Sequence, residues 1–231
     1  DALPGIRDPD FLLYGGLSGR MRLTWRPELH LRGKDARVSY AKTGGGAWIV
    51  SASIGVANDA GVPARVRATW RLDGPRGATV IEDDAPPCDL PPRSIAVLQP
   101  VTLRLDRPQI WDIDSPALYT LTCDLREHDG TPVDRAVWRI GLREAEFRPR
   151  QGFFLNGRRL ELRGCNRHES LPGFGRALPL SLHRDDARRI KQCGFNFVRL
   201  SHYPQHPAFL DACDELGLLV YAEIATWKSV R

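Results

Sequence analysis

The sequence predicts an all-β sandwich followed by an incomplete parallel α/β fold, and three observations carry that prediction. Over residues 21–142, short segments of alternating apolar and polar residues recur with turn residues between them, the pattern of an antiparallel sandwich. After Glu146, helical patterns alternate with short apolar strands, the pattern of a parallel sheet covered by helices. From Leu160 to Ile224 the order is strand–helix–strand–helix–strand, the start of a parallel α/β fold.

In the first region, strands are expected over residues 21–25, 37–40, 47–56, 64–72, 95–105, 118–127 and 133–142. Gly44, Gly45 and Gly46 form a flexible loop between two of them. Asp129-Gly130 predicts a hairpin turn, since both central positions of a type I′ turn need positive φ. Residues 83–93, rich in proline and acid, read as a connector. In the second region, Asn156-Gly157 predicts another hairpin between residues 153–155 and 159–163. Residues 181–193 predict a helix with Leu182, Ala187, Ile190 and Cys193 near one face, Ser181 as its cap and Gly194 at its end. A short strand follows over 197–200. The next helix, 207–216, has Pro207 in its first turn and Gly217 just past its end. Residues 218–224 are apolar almost throughout and predict a strand buried on both faces.

Composition narrows the function. The chain of 231 residues is 42% hydrophobic and 26% charged, which excludes disordered and collagen-like classes. It has no apolar run long enough for a membrane span. No signal peptide opens it, so a cytoplasmic location is expected, with the periplasm as the alternative. The formal charge of +5 comes mostly from arginines spread along the chain without a dense cluster, which argues against a nucleic-acid partner. Five cysteines without a C-x-x-C pair argue against a zinc ribbon or redox motif; Cys193 and Cys213 read as core filler on helix faces. His202 and His206, four apart, do not predict a metal site, because Tyr203-Pro204 forbids a helix there.

In a (β/α) barrel, functional groups gather at the C-terminal ends of the strands. Strand one, expected over 160–164, is followed by Cys165-Asn166-Arg167-His168-Glu169. Strand two ends in Arg199, then Ser201-His202-Tyr203-Pro204, and strand three ends at Glu223, with Trp227 beyond. Two histidines, an arginine, a carboxylate and aromatic rings on one rim can hydrogen-bond several hydroxyls and stack against a sugar face. Glu169 and Glu223 read most simply as ion-pair partners of Arg167 and Arg199. The six tryptophans read mostly as sandwich core or as packing against it, with Trp227 as the candidate wall of the sugar site.

The run Asn196-Phe197-Val198-Arg199-Leu200-Ser201-His202-Tyr203-Pro204, followed by Phe209-Leu210, Asp214 and Gly217-Leu218-Leu219-Val220-Tyr221, resembles a signature of the family 2 glycoside hydrolases. Leu200 stands where that family usually has a small residue. Phe154-Leu155-Asn156-Gly157 leading to Leu162-Arg163-Gly164-Cys165-Asn166-Arg167-His168-Glu169 is similar to the family's first barrel strand. Tyr14-Gly15-Gly16-Leu17 resembles the exit from its sugar-binding domain. Residues 111–121 and Gly141-Leu142-Arg143 resemble the end of its immunoglobulin-like domain.

The resemblance implies an immunoglobulin-like β-sandwich over residues 21–143, preceded by the tail of a sugar-binding domain at 1–20. It is followed at 144–231 by the first three strands of a TIM-type (β/α)8 barrel. It implies that His168 and His202 contact hydroxyls of a terminal sugar, that Arg199 supports the nucleophilic carboxylate, and that Asn166 lies beside that pocket; Glu223 and Trp227 complete the substrate-binding set. Family members are retaining enzymes with two glutamates from later strands. No Asn-Glu pair follows Glu223 here, so no catalytic residue is expected in this chain and the segment itself should be inactive. Magnesium-dependent members carry Glu-Thr-His where this chain has Trp227-Lys228-Ser229, so no metal and no cofactor are implied. The implied substrate is a terminal β-glycoside, a β-galactoside first and a β-glucuronide second; a non-catalytic carbohydrate-binding module is the rival reading. Self-association through the incomplete barrel, or poor order within it, is expected.

Overall fold

Alternation in the first 142 residues becomes eight strands: β1 (Leu29–Lys42), β2 (Trp48–Asn58), β3 (Ala64–Asp73), β4 (Thr79–Leu90), β5 (Ser94–Val97), β6 (Val101–Leu105), β7 (Tyr119–Glu127) and β8 (Pro132–Ile140). The computed structural model describes residues 21–224. Among them, residues 23–110 and 117–142 form one unit, and residues 21–22, 111–116 and 143–224 form another.

In the first unit, β2 pairs with β1 on one side and with β5 and β6 in turn on the other; the second sheet runs β4-β3-β7-β8. All of these pairings are antiparallel. Inward residues of both sheets, among them Val50, Ile54, Trp70, Leu72, Leu103 and Leu121, form one buried cluster. Each such side chain contributes about 1.5–3 kcal/mol on burial. Asn58 is the polar exception. Its amide donates to the carbonyls of Val62, Leu90 and Pro91 and its oxygen accepts from Ala60 N, which satisfies it in full.

Several expectations are corrected. Residues 21–27 form no strand, and Met21, Leu23 and Trp25 are exposed. The expected connector at 83–93 lies largely within β4, with register shifts along it. Prolines 86 and 87 are tolerated because β4 is an edge strand, where a missing N–H breaks no ladder. Residues 95–105 split into β5 and β6 around Pro100. The turn at Asp129-Gly130 exists, but only Gly130 takes positive φ, at 94°, while the Asp129 carboxylate accepts from Thr131 N. It is therefore a longer bulged hairpin rather than a type I′ turn.

The second unit opens with a small antiparallel sheet, β11-β10-β9, built from β9 (Ala145–Arg148), β10 (Gly152–Leu155) and β11 (Arg158–Leu160). Asn156 and Gly157 take positive φ of 51° and 79°, as a type I′ turn requires. The parallel sheet follows: β12 (Gly164–Arg167), α1 (Leu180–Gln192), β13 (Phe197–Leu200), α2 (Pro207–Leu216) and β14 (Leu219–Ala222), in the order β12-β13-β14. The first barrel strand is thus Gly164–Arg167 rather than 160–164, which moves Cys165 and Asn166 from loop to strand. No described helix is long and apolar enough to cross a membrane.

Helix α1 begins at Leu180 with Pro179 as its N-cap, so Ser181 falls inside the first turn and does not cap it. Cys193 is exposed rather than packed, whereas Cys213 is buried as expected. Helix α2 starts on Pro207, with the His206 ring accepting from Ala208 N, and ends at Gly217 with φ 73°. Strand β14 is buried only at its start; Tyr221 within it and Ile224 beyond its end are exposed.

Residues 111–116 belong to this second unit. Trp111 is fully buried, and its Nε1 donates to Asp214 O at 2.8 Å; Arg143 stacks on its ring. Lys191 Nζ donates to Ile113 O at 2.7 Å and to Gly217 O at 3.0 Å. A Cβ on Gly217 would stand 2.2 Å from Ile113 O, whereas one on Gly194, also at positive φ, would meet nothing within 4 Å. Both Gly→Ala changes carry backbone strain, but only Gly217→Ala adds a clash. It should cost about 1–3 kcal/mol more than Gly194→Ala in urea unfolding. Equal costs would mean that 111–116 does not pack there in solution.

Candidate functional site

Register sorts the side chains of the parallel sheet. Asn166, Arg199 and Tyr221 are cross-strand partners, and Arg167, Leu200 and Ala222 form the next row. Successive residues of a strand point to opposite faces. Val198 and Leu200 pack with Ala187 of α1 and with Phe209, Ala212 and Cys213 of α2, so Asn166, Arg199 and Tyr221 occupy the face away from the helices. The strands approach closely at Gly164, where a Cβ would stand 2.2 Å from Phe197 O.

At the end of that face the expected rim assembles. Arg199 Nε donates to Glu223 Oε1 at 2.5 Å, and His202 Nδ1 lies 2.8 Å from Glu223 Oε2. An ionised carboxylate only accepts, so Nδ1 carries the proton and Nε2 is the other functional nitrogen of the His202 ring. Arg199 Nη2, 3.3 Å from the same Nδ1, is then a neighbour and not a donor to it. Partial desolvation pushes the Glu223 carboxyl up, but the hydrogen bonds from His202 and Arg199 outweigh it and hold it below the usual carboxylate range. His168 stands edge-on to His202 with ring centroids 5.4 Å apart, and Tyr203 lies 6.1 Å from His168. The Ser201–His202 peptide is cis. Asn166, His168, Arg199, His202 and Glu223 thus share one strand-end region. Trp227 lies outside the described residues.

The ion pair expected for Glu223 with Arg199 is present; the one expected for Glu169 with Arg167 is not. Arg167, only 6% exposed, instead donates from Nε and Nη2 to Asp186 Oδ2 at 3.0 and 2.8 Å, and its guanidinium stacks on Phe209. Its Nη1 donates to Gln205 Oε1 at 2.5 Å, and Gln205 Nε2 donates back to Arg167 O at 2.6 Å. Glu169 Oε1 accepts from His206 N at 3.0 Å, and Glu169 N donates to the Tyr203 hydroxyl at 3.1 Å. His183, 1% exposed, stacks on His206 at 4.5 Å and sets Nδ1 3.4 Å from Arg167 Nη2. Sequence reasoning missed this network. The signal available for it was strand alternation within β12: Arg167 follows Asn166 and so points to the opposite face.

Among the described residues, no group of three or more His, Cys, Asp or Glu is placed to hold a metal. A cavity of about 930 Å³ is lined in part by Arg176, His183, Pro204, His206 and Asp211.

Comparison with known proteins agrees with this architecture. The family model described as "Glycosyl hydrolases family 2" matches residues 29–143, and "Glycosyl hydrolases family 2, TIM barrel domain" matches residues 148–229. The sandwich followed by parallel strand–helix units is therefore the immunoglobulin-like domain and part of the TIM barrel of a glycosyl hydrolase. The chain belongs to glycosyl hydrolase family 2. It is 42% identical to a β-galactosidase of Thermoanaerobacter pseudethanolicus over 55% of this chain and 17% of that protein. The solved structure of Bacteroides uniformis β-glucuronidase 2, bound covalently to cyclophellitol-6-carboxylate aziridine, superposes with a TM-score of 0.81 at 29% identity, over 86% of this chain and 24% of that one. Bacteroides uniformis β-glucuronidase 3 is 34% identical over 94% of this chain and 26% of its own, with a TM-score of 0.77. The chain spans about a quarter or less of the length of these relatives.

Desolvation, reinforced by Arg167 and His206, lowers the His183 pKa from 6.5 to about 4, against opposing contributions from Asp186 and a bond to Leu178. The folded state therefore resists a proton that the unfolded chain accepts. The stabilisation is complete above pH 6.5 and is lost as pH falls from 6.5 toward 4. Urea midpoints of the second unit should drop across that window, and His183→Gln should flatten the drop. An unchanged slope in the variant would assign the pH dependence to other groups.

Proposed function

We propose that residues 143–224 supply the sugar-gripping rim of a retaining exo-β-glycosidase acting on terminal β-linked sugars. The observation that carries this reading is the set Arg199–Glu223–His202, with His168 edge-on to His202 at the strand ends of a family 2 barrel. His202, its Nδ1 committed to Glu223, presents Nε2 as a fixed hydrogen-bonding atom for a sugar hydroxyl. His168 offers a second such ring and Asn166 an amide beside it. Arg199, anchored by Glu223, places positive charge where the family's nucleophilic carboxylate stands in the intact site. A retaining mechanism then proceeds through a covalent glycosyl intermediate, with an acid/base glutamate and a nucleophilic glutamate. Neither falls among the rim residues here, whose one carboxylate is tied to Arg199 and His202.

A β-galactoside is one substrate this reading supports, favoured by the 42% identity to the Thermoanaerobacter enzyme. A β-glucuronide is the other, favoured by the broader match to the two Bacteroides β-glucuronidases. The gene product containing these residues should hydrolyse a nitrophenyl β-galactoside or β-glucuronide. There, His202→Ala should lower kcat/KM about 10- to 100-fold, the cost of losing the sugar hydrogen bond and leaving Glu223 without its His202 donor. The 231-residue chain alone should turn over neither substrate. Turnover by it that is lost on Glu223→Gln would overturn this account of the site.

The exposed Tyr221 and Ile224 at the β14 edge support self-association of the isolated chain through the parallel sheet. Sedimentation should show a concentration-dependent dimer or larger species. Tyr221→Lys should shift it toward monomer, and a strictly monomeric parent chain would sink the proposal.

A further inference from the structure

The buried network behind the rim does more than fill space. Arg167 and Glu169 stand on either side of His168 in the sequence, and each is tied to residues that flank His202. Five hydrogen bonds make the tie. Ser201 N donates to Arg167 O at 3.0 Å, and Gln205 Nε2 donates to the same oxygen at 2.6 Å. Arg167 Nη1 donates to Gln205 Oε1 at 2.5 Å. Glu169 N donates to the Tyr203 hydroxyl at 3.1 Å, and His206 N donates to Glu169 Oε1 at 3.0 Å. Arg167, Glu169, Ser201, Tyr203 and Gln205 are all buried to 9% exposure or less, so these bonds are shielded from competing water. The two loops that carry His168 and His202 are therefore locked to one another on the side away from the sugar.

We propose that Glu169, Tyr203 and Gln205 are positioning residues that clamp the β12–α1 loop to the β13–α2 loop and so set the spacing and edge-on angle of His168 and His202. The inference rests on the reading of those histidines as sugar ligands, but its geometric part is separable from it. Glu169 acts by accepting from His206 N, a task a glutamine oxygen performs as well and an alanine does not. Gln205 acts through both ends of its amide, so alanine removes two bonds at once. Tyr203 contributes one oxygen, which phenylalanine deletes while keeping the ring.

The chain has six histidines, few enough for each ring to be followed by NMR in histidine-labelled protein. In the parent chain, cross-relaxation between the His168 and His202 rings is expected, given centroids 5.4 Å apart. It should be lost in Glu169→Ala and Gln205→Ala, kept in Glu169→Gln, and weakened in Tyr203→Phe. Arg184→Ala, which removes an exposed ion pair with Glu215, should leave it unchanged. If either alanine variant fails to fold, Tyr203→Phe and Glu169→Gln decide the matter. An unchanged signal in a folded Tyr203→Phe, or its loss in Glu169→Gln, overturns the clamp. In the gene product, nitrophenyl-glycoside kinetics should follow the same order, with Glu169→Ala lowering kcat/KM about tenfold and Glu169→Gln restoring it to within about twofold. Lost ring geometry with unaltered kinetics would uphold the clamp and sink the sugar-ligand reading instead.

Discussion

The parallel register of β12, β13 and β14 is the constraint on which the rest of the second unit depends. It puts Asn166, Arg199 and Tyr221 in one row, and the pleat then sends Arg167, Val198 and Leu200 to the other face. A slip of one residue between β12 and β13 would carry Asn166 toward the helices and Arg167 toward the rim. Gly164 makes this register attainable, because the Phe197 carbonyl occupies the space a Cβ would need. Helices and rim thus follow from one alignment of three short strands.

That alignment places a guanidinium where an apolar side chain would ordinarily sit. A buried charge is tolerated only when its partners replace the lost water. Arg167 has them: Asp186 from α1, Gln205 from the loop before α2, and the face of Phe209 from α2. One side chain therefore gathers a strand, both helices and the loop behind His202. The apolar cluster beside it is small, seven buried residues, so polar contacts carry a larger share of the packing here than in the sandwich. Such contacts demand fixed geometry and lose their value when one partner is displaced. A site built on them has a defined geometry, as the proposed sugar-gripping rim would require.

How much of this was legible depended on whether the determining chemistry is local. Helix α2 was readable to the residue because Pro207 and Gly217 act within one turn of its ends. The strand at Phe197–Leu200 and the Asn156-Gly157 turn were readable for the same reason. Strand β4 was not, because Pro86 and Pro87 look like breakers until the sheet order shows them on an edge. The contacts of Trp111 were not legible because its partners, Asp214 and Arg143, are distant in sequence or silent in pattern. Within the site, the residues of the rim were legible by resemblance and by their position at strand ends. The partner of Glu169 was not, since a nearby arginine is the simplest guess and tertiary packing gave that arginine to Asp186 instead.

The electrostatics of the rim also bear on which sugar it can read. Arg199 is the one cation among the predicted rim residues, and Glu223 already engages it at 2.5 Å. The carboxylate of a β-glucuronide approaching this corner would meet Glu223 as well as Arg199, and repulsion from the first would offset attraction to the second. His202, with Nδ1 held by Glu223, is equally suited to a galactose or a glucuronate hydroxyl. On the proposed reading, the rim would grip what these sugars share, their ring hydroxyls. Discrimination between a neutral sugar and a uronate then requires a cation that is not already neutralised, placed against the sugar carbon that carries the acid rather than at the Arg199–Glu223 corner.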